Sequence, residues 1–219
     1  MGSKPVSNTL IILKKLVMKK IIFTLALAFV GTFSYAQEFG FGPKVGLNYS
    51  MVSGDVTEAP TVRYGLNIGA FAEYKFTKLW AVEGALMYSA QGVNDKWDAG
   101  EGVTVKSKIK ADYLNVPLLA KCYVAGGFNV FIGPQFGFLL SAKNHQSAPG
   151  FESQTDNIKD DCNKVSIAGV AGFGYQFKMG LNLSAGFQYG FNDTFTSEID
   201  GVKYSNHNCV IQVIAGWKF

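Results

Sequence analysis

The sequence is short of charge. Asp, Glu, Lys and Arg make up 16% of its 219 residues, against roughly 25% in an ordinary soluble domain. That composition argues against a disordered chain, which is polar and highly charged. It argues equally against a nucleic-acid binder. Histidine numbers two, which without clear partners falls short of a metal site. Three cysteines, an odd count with no regular spacing, do not make a disulfide framework. Basicity is also scarcer than the net charge of +4 suggests. Lys4, Lys14, Lys15, Lys19 and Lys20 all precede residue 37, where there is no acid, and beyond them acids outnumber bases by one. No polyanion partner is implied.

The first 36 residues carry a different pattern. Met18-Lys19-Lys20 opens a basic region, Ile21–Val30 is an apolar core, and Ser34-Tyr35-Ala36 places small residues at −3 and −1 before Gln37. This is the layout of a secretory signal, with cleavage expected between Ala36 and Gln37. The alternative is an N-terminal membrane anchor. Residues 1–17 read as an upstream extension, residues 18–36 as the signal proper, and 37–219 as the mature domain.

Past that leader no apolar run is long enough to cross a bilayer as a helix. What is abundant is glycine, 25 residues, and aromatics, 14%, set in period-2 alternation. Tyr64, Leu66, Ile68, Ala70, Ala72, Tyr74 and Phe76 share one face of a strand, and Leu181, Leu183, Ala185, Phe187, Tyr189 and Phe191 share one face of another. Cys209, Ile211, Val213, Ala215, Trp217 and Phe219 repeat the pattern. Eight strands are expected, near 39–50, 63–76, 80–92, 107–124, 129–142, 164–177, 181–192 and 207–219. Tight turns at 77–79, 125–128 and 178–180 alternate with long polar connections near 51–62, 93–106, 143–163 and 193–206.

Short turns at one end and long loops at the other fit an all-β, antiparallel, up-and-down eight-stranded transmembrane β-barrel in the outer membrane, with short periplasmic turns and long extracellular loops. The alternative is a soluble lipocalin-like barrel with the apolar face inside. Two features favour the inverted arrangement. The polar face is built of Gly, Asn, Gln and Ser rather than the Lys and Glu of a soluble exterior. Aromatics also gather at strand ends: Tyr74, Phe76, Trp80, Tyr175, Phe177, Trp217 and Phe219 at the short-turn end, as an interfacial girdle requires. Eight strands leave an interior just wide enough for side chains, so a wide channel is not expected.

Three segments carry a family resemblance. Phe41-Gly42-Pro43-Lys44-Val45-Gly46-Leu47-Asn48, Asp112-Tyr113-Leu114-Asn115-Val116-Pro117-Leu118-Leu119 and Gly172-Phe173-Gly174-Tyr175-Gln176-Phe177 resemble strands of the PorT-like outer-membrane β-barrel proteins. The resemblance implies this same fold and a cell-envelope location. It also raises a role as an accessory to a type IX secretion assembly, in which the founding member is implicated. In many relatives an Arg stands near Gln188, and this chain departs from that pattern.

Glu73 and Glu83 share the inward phase, and a three-residue turn at 77–79 sets them directly opposite each other. Two adjacent carboxylates repel, so cations should lie beside them. Lys44, Lys121 and Lys218 have the matching phase and Lys75 is a weaker candidate. Together they are expected to form a lumen salt-bridge network that plugs the barrel. Trp217 and Phe219 resemble the signal read by the barrel-assembly machinery, by strand addition, or are simply girdle residues. Lys106, Lys108 and Lys110 form a basic ladder in the lipid-facing phase. It either meets lipid phosphates or, the plainer reading, extends the strand into solvent. Asp193, Ser205 and His207 are the only candidate catalytic triad, at a spacing that matches no known motif, and His145 falls in a long connection. Gly169–Gly174 joins no strand to a helix, so it is no phosphate loop. Cys122 reads as lipid-facing. Cys162 and Cys209 fall on non-neighbouring strands, too far apart for a bridge without loop movement.

The expected protein is a non-enzymatic, monomeric outer-membrane scaffold with no catalytic, cofactor or metal residues. Its expected partners are outer-membrane lipid, the barrel-assembly machinery during insertion, and envelope or secretion-system proteins. Its longest contact surface holds Phe151, Asp156, Asp160 and Asp161. A narrow passive pore and a lipid-modifying enzyme are the competing readings.

Overall fold

The computed structural model describes residues 38–54, 62–98, 104–147, 153–194, 198–199, 202–203 and 206–219. The leader, with its Ala36–Gln37 junction, lies outside the described residues. The strands are β1 (Glu38–Gly54), β2 (Arg63–Lys75), β3 (Trp80–Asp98), β4 (Thr104–Ala125), β5 (Phe128–Ser147), β6 (Gln154–Asn157), β7 (Val165–Gln176), β8 (Leu181–Gly190), β9 (Glu198–Ile199), β10 (Val202–Lys203) and β11 (Asn206–Trp217). No helix among them is long and apolar enough to cross a membrane.

Eight long strands form one antiparallel ring: β1, β2, β3, β4, β5, β7, β8 and β11, each paired with the next. The ring closes through β1 and β11, in register from Lys44 opposite Gly216 to Gly54 opposite Asn206. Closure removes the unpaired edges that hydrocarbon cannot hydrogen-bond. The short β6 adds to β5 beyond the reach of β7, and β9 and β10 make a separate small hairpin.

The period-2 pattern becomes an inverted barrel. Leu183, Phe187 and Val213 are 45, 46 and 61% exposed, while Asn182 and Gln188 are 3 and 2% exposed. The outer wall carries Leu47, Leu66, Ile68, Leu86, Leu118, Ile132 and Phe173, and the interior holds Asn48, Asn67, Gln91, Asn115 and Gln135. A soluble lipocalin-like barrel would show the reverse. The interior is not wholly polar: Phe71, Ala85 and Met87 pack as a small apolar cluster within it.

The long-loop end differs from expectation. Strand occupies much of the connection placed at 93–106 and enters the one placed at 143–163, at 143–147 and again at Gln154–Asn157. β3 and β4 keep pairing to Asp98 opposite Thr104, and β5 runs on to Ser147. Cross-strand β-branched pairs such as Val93 with Ile109 sustain the hairpin past the apolar band. His145, expected in a connection, is therefore a strand residue. Cys162 follows a 3-10 turn at Lys159–Asp161, ahead of the barrel strand to which it was assigned.

One irregularity re-aims side chains there. Asp112 pairs with Ser141 but Tyr113 pairs with Leu139, so Leu140 is an extra residue in β5. Such a bulge shifts the side-chain phase of everything beyond it. Gln135 and Leu139 point inward, whereas past the bulge Ala142 is buried and Lys143 is exposed.

Candidate functional site

The lumen near the short turns holds the densest chemistry. Glu73 and Glu83 stand opposite each other on β2 and β3. Lys121 reaches across from β4 and bridges them, its Nζ 2.6 Å from Glu73 Oε2 and 3.0 Å from Glu83 Oε2. Lys44 pairs with Glu83 Oε1. Lys218 takes the other side of Glu73, 3.0 Å from its Oε1, and also lies 2.9 Å from Glu38. Three carboxylates thus meet three ammonium groups. The Tyr123 hydroxyl donates to the Glu73 carboxylate at 2.8–2.9 Å. Lys75 lies outside this ion-pair set and covers the Tyr123 ring at 4.0 Å, a cation–π contact.

The geometry follows from the strand period. Glu73 and Tyr123 take inward positions of β2 and β4, and Lys121 lies two residues before Tyr123 on the same face. Glu73 is fully buried, and Glu83 and Lys121 are each 3% exposed. Buried charges cost several kcal/mol each unless paired with good geometry, and here every one is. Sequence reasoning missed Tyr123 and Glu38. Tyr123 was findable from its phase with Lys121.

Above the charges the lumen is filled by amides. The Asn48 amide donates to Ser89 Oγ at 2.8 Å, and Gln135 and Gln212 both donate to Gln188 Oε1 at 2.8 and 2.9 Å. Between them lies a cavity of about 40 Å³, lined by Lys121, Glu83 and the amides of Asn67, Asn115 and Asn129. Its size suits a few ordered waters, held at these polar groups in a wall that Met87, Leu119, Phe131 and Val170 otherwise make apolar. Toward the long-loop end Ala111, Tyr113, Leu139, Ala142 and Cys162 form a buried apolar cluster with Ile158 against it. The chain after β6 supplies part of that cluster, held by Ile158 N–H to the Ala142 carbonyl at 3.1 Å. The expected contact surface is therefore partly turned inward. Asp156 and Asp160 remain exposed, while Phe151 and the Asp161 side chain lie outside the described residues.

Asp193 accepts from the Asn206 amide at 3.0 Å, and the His207 ring packs on Tyr189 at 5.3 Å. Ser205 lies outside the described residues. His145 Nδ1 sits 2.8 Å from Thr155 Oγ1. Cys122, Cys162 and Cys209 form no disulfide among the described residues. Among the described residues no cluster of His, Cys, Asp and Glu could hold a metal ion. Trp217 and Phe219 are on the outer face at the short-turn end, with Phe219 6.0 Å from the Phe41 ring.

Residues 35–196 match the family model described as outer membrane protein beta-barrel domain. No curated protein sequence matches the chain. Among solved structures, Ail, the attachment invasion locus protein of Yersinia pestis, is 17% identical, with 83% of this chain and 99% of that one aligned at a TM-score of 0.46. Neisserial surface protein A is 13% identical over 82% of this chain and 97% of its own, at 0.48. OprG from Pseudomonas aeruginosa is 16% identical over 84% and 96%, at 0.35. The family match extends from the start of the barrel through β8, and on that basis this chain belongs to the outer membrane β-barrel domain family and resides in the outer membrane.

Proposed function

We propose that this outer-membrane barrel is a sealed, non-enzymatic scaffold whose work is done by surfaces outside the lumen. The observation that carries the reading is Lys121, which ties Glu73 to Glu83 across the interior. A continuous water path would have to break those ion pairs, which water-filled pores of larger barrels avoid by being wider. Nearer the opposite mouth, inward side chains of β4 and β5 pack as an apolar cluster rather than a polar channel lining. Each buried carboxylate is held by two ammonium groups, an arrangement that serves packing and charge balance.

Planar-bilayer recording tests this. The purified full chain should leave the membrane silent, and steady unitary currents would replace the scaffold with the narrow-pore reading. The PorT-like motifs in β1, β4 and β7 support an accessory role beside a secretion assembly. Co-purification from cross-linked envelopes is the check on that finer reading, with a barrel recovered alone counting against it.

A further inference from the structure

The bulge at Leu140 creates a basic platform. β4 already presents Lys108 and Lys110 outward. The phase change in β5 turns Lys143 and His145 to the same side, and the register sets Lys110 opposite Lys143 and Lys108 opposite His145. Lys108, Lys110 and Lys143 are all exposed. Like charges directly opposite on paired strands repel, and no ion pair compensates these three among the described residues. The described carboxylates nearby are otherwise engaged, Asp156 with the Gln154 side-chain amide at 3.1 Å. Asp112 is hydrogen-bonded by Tyr88 and faces Arg63, and Asp160 lies 3.5 Å from Lys164. Lys159 folds back to donate to the Leu140 carbonyl at 2.9 Å, adding a fourth ammonium group at the lower edge.

Depth says what could compensate them. Leu114, Phe138 and Leu140 close the apolar wall just below, with Leu114 opposite Phe138. Lys110 is four residues further along β4, which in a tilted strand is roughly 10 Å toward the long-loop end. That is where the phosphates of an outer-leaflet lipid lie when its acyl chains cover the wall below. We infer that the outward face of β4 and β5 above the bulge binds the phosphorylated headgroup of an outer-leaflet lipid, with Lys108, Lys110 and Lys143 as its ligands. A lipid is favoured over a free anion because the platform is continuous with the acyl-covered wall. The site rests on the barrel's membrane orientation and not on the sealed lumen, so it stands or falls separately from the conductance result.

Native mass spectrometry of the full chain in detergent provides the test, with lipid A carrying both phosphates as the probe. The wild type should retain it in preference to the dephosphorylated lipid. Each lysine replaced by glutamine should weaken retention about fivefold, and K108Q/K110Q/K143Q about a hundredfold. The arginine triple variant should keep the preference. Folding of each variant is read from its heat-dependent gel mobility. Should the triple glutamine variant not fold, K110Q, which relieves the like-charge pair, carries the test alone. Equal retention of the two lipids, or an unchanged affinity in a folded glutamine variant, would overturn the proposal. Displacement of the lipid by an equal concentration of inorganic phosphate would also overturn it, in favour of a free-anion site.

Discussion

Lys121 is the residue on which the interior depends. Removing it leaves Glu73 and Glu83 face to face, each holding one remaining cation, Lys218 and Lys44. Breaking a buried pair is costly because the uncompensated charge stays behind, about 3–5 kcal/mol. Lys121→Met should lose stability on that scale in urea unfolding followed by tryptophan fluorescence. K44M/E73Q/E83Q/K121M should recover most of it, because neutral groups replace the buried charges while Lys218 keeps Glu38. A quadruple variant as unstable as the single one would mean that packing, not charge, accounts for the loss. Much of this cluster was legible beforehand. The opposition of Glu73 and Glu83 needs only a three-residue turn and the strand period. Glu38 was not legible, because its pairing with Lys218 depends on barrel closure, which brings the β1 end beside β11.

The elements show where local chemistry decides. The turn between β4 and β5 is Gly126-Gly127, with φ of +55° and +99°. Two positive values match the twist of a hairpin and favour glycine at both positions. The two sites should nevertheless respond differently. A Cβ at Gly126 meets nothing within 4 Å, whereas one at Gly127 would lie 2.2 Å from the Gln176 carbonyl oxygen. Gly126→Ala should therefore cost only the left-handed penalty, about 1–2 kcal/mol. Gly127→Ala should cost more, since the Gln176 backbone N–H also donates to the Gly127 carbonyl at 2.9 Å and β7 would have to shift. Equal losses in the two variants would contradict this geometry. The tight turns were readable as Gly-rich punctuation between alternating runs. The bulge at Leu140 was not, because no residue type marks it. By sequence alone Lys143 and His145 fall in a polar connection, and only the β4 half of the platform, Lys108 and Lys110, is visible.

At the scale of the whole molecule the fold was readable because lipid imposes one strong rule on a barrel: apolar side chains out, on every strand, with parity unbroken through the bilayer. Above the membrane that constraint lapses. β3, β4 and β5 extend further than the sequence suggested for that reason: water tolerates either phase, and alternation no longer marks where pairing stops. The same rule gives adjacent residues opposite roles. Val213 faces outward at 61% exposure, four residues from the girdle residue Trp217 and thus near mid-bilayer, while its neighbour Gln212 is 7% exposed inside. Arginine on the lipid face near the midplane costs about 2–4 kcal/mol. Val213→Arg should lose that much when unfolded from phospholipid vesicles, with the folded fraction read as the fast-migrating band of an unboiled gel sample. The same substitution in a barrel surrounded by water would place a charge on a solvated surface and cost almost nothing. An unaltered unfolding midpoint in vesicles would thus remove the bilayer from the exterior of this protein, and with it the reason its Asn and Gln residues are enclosed.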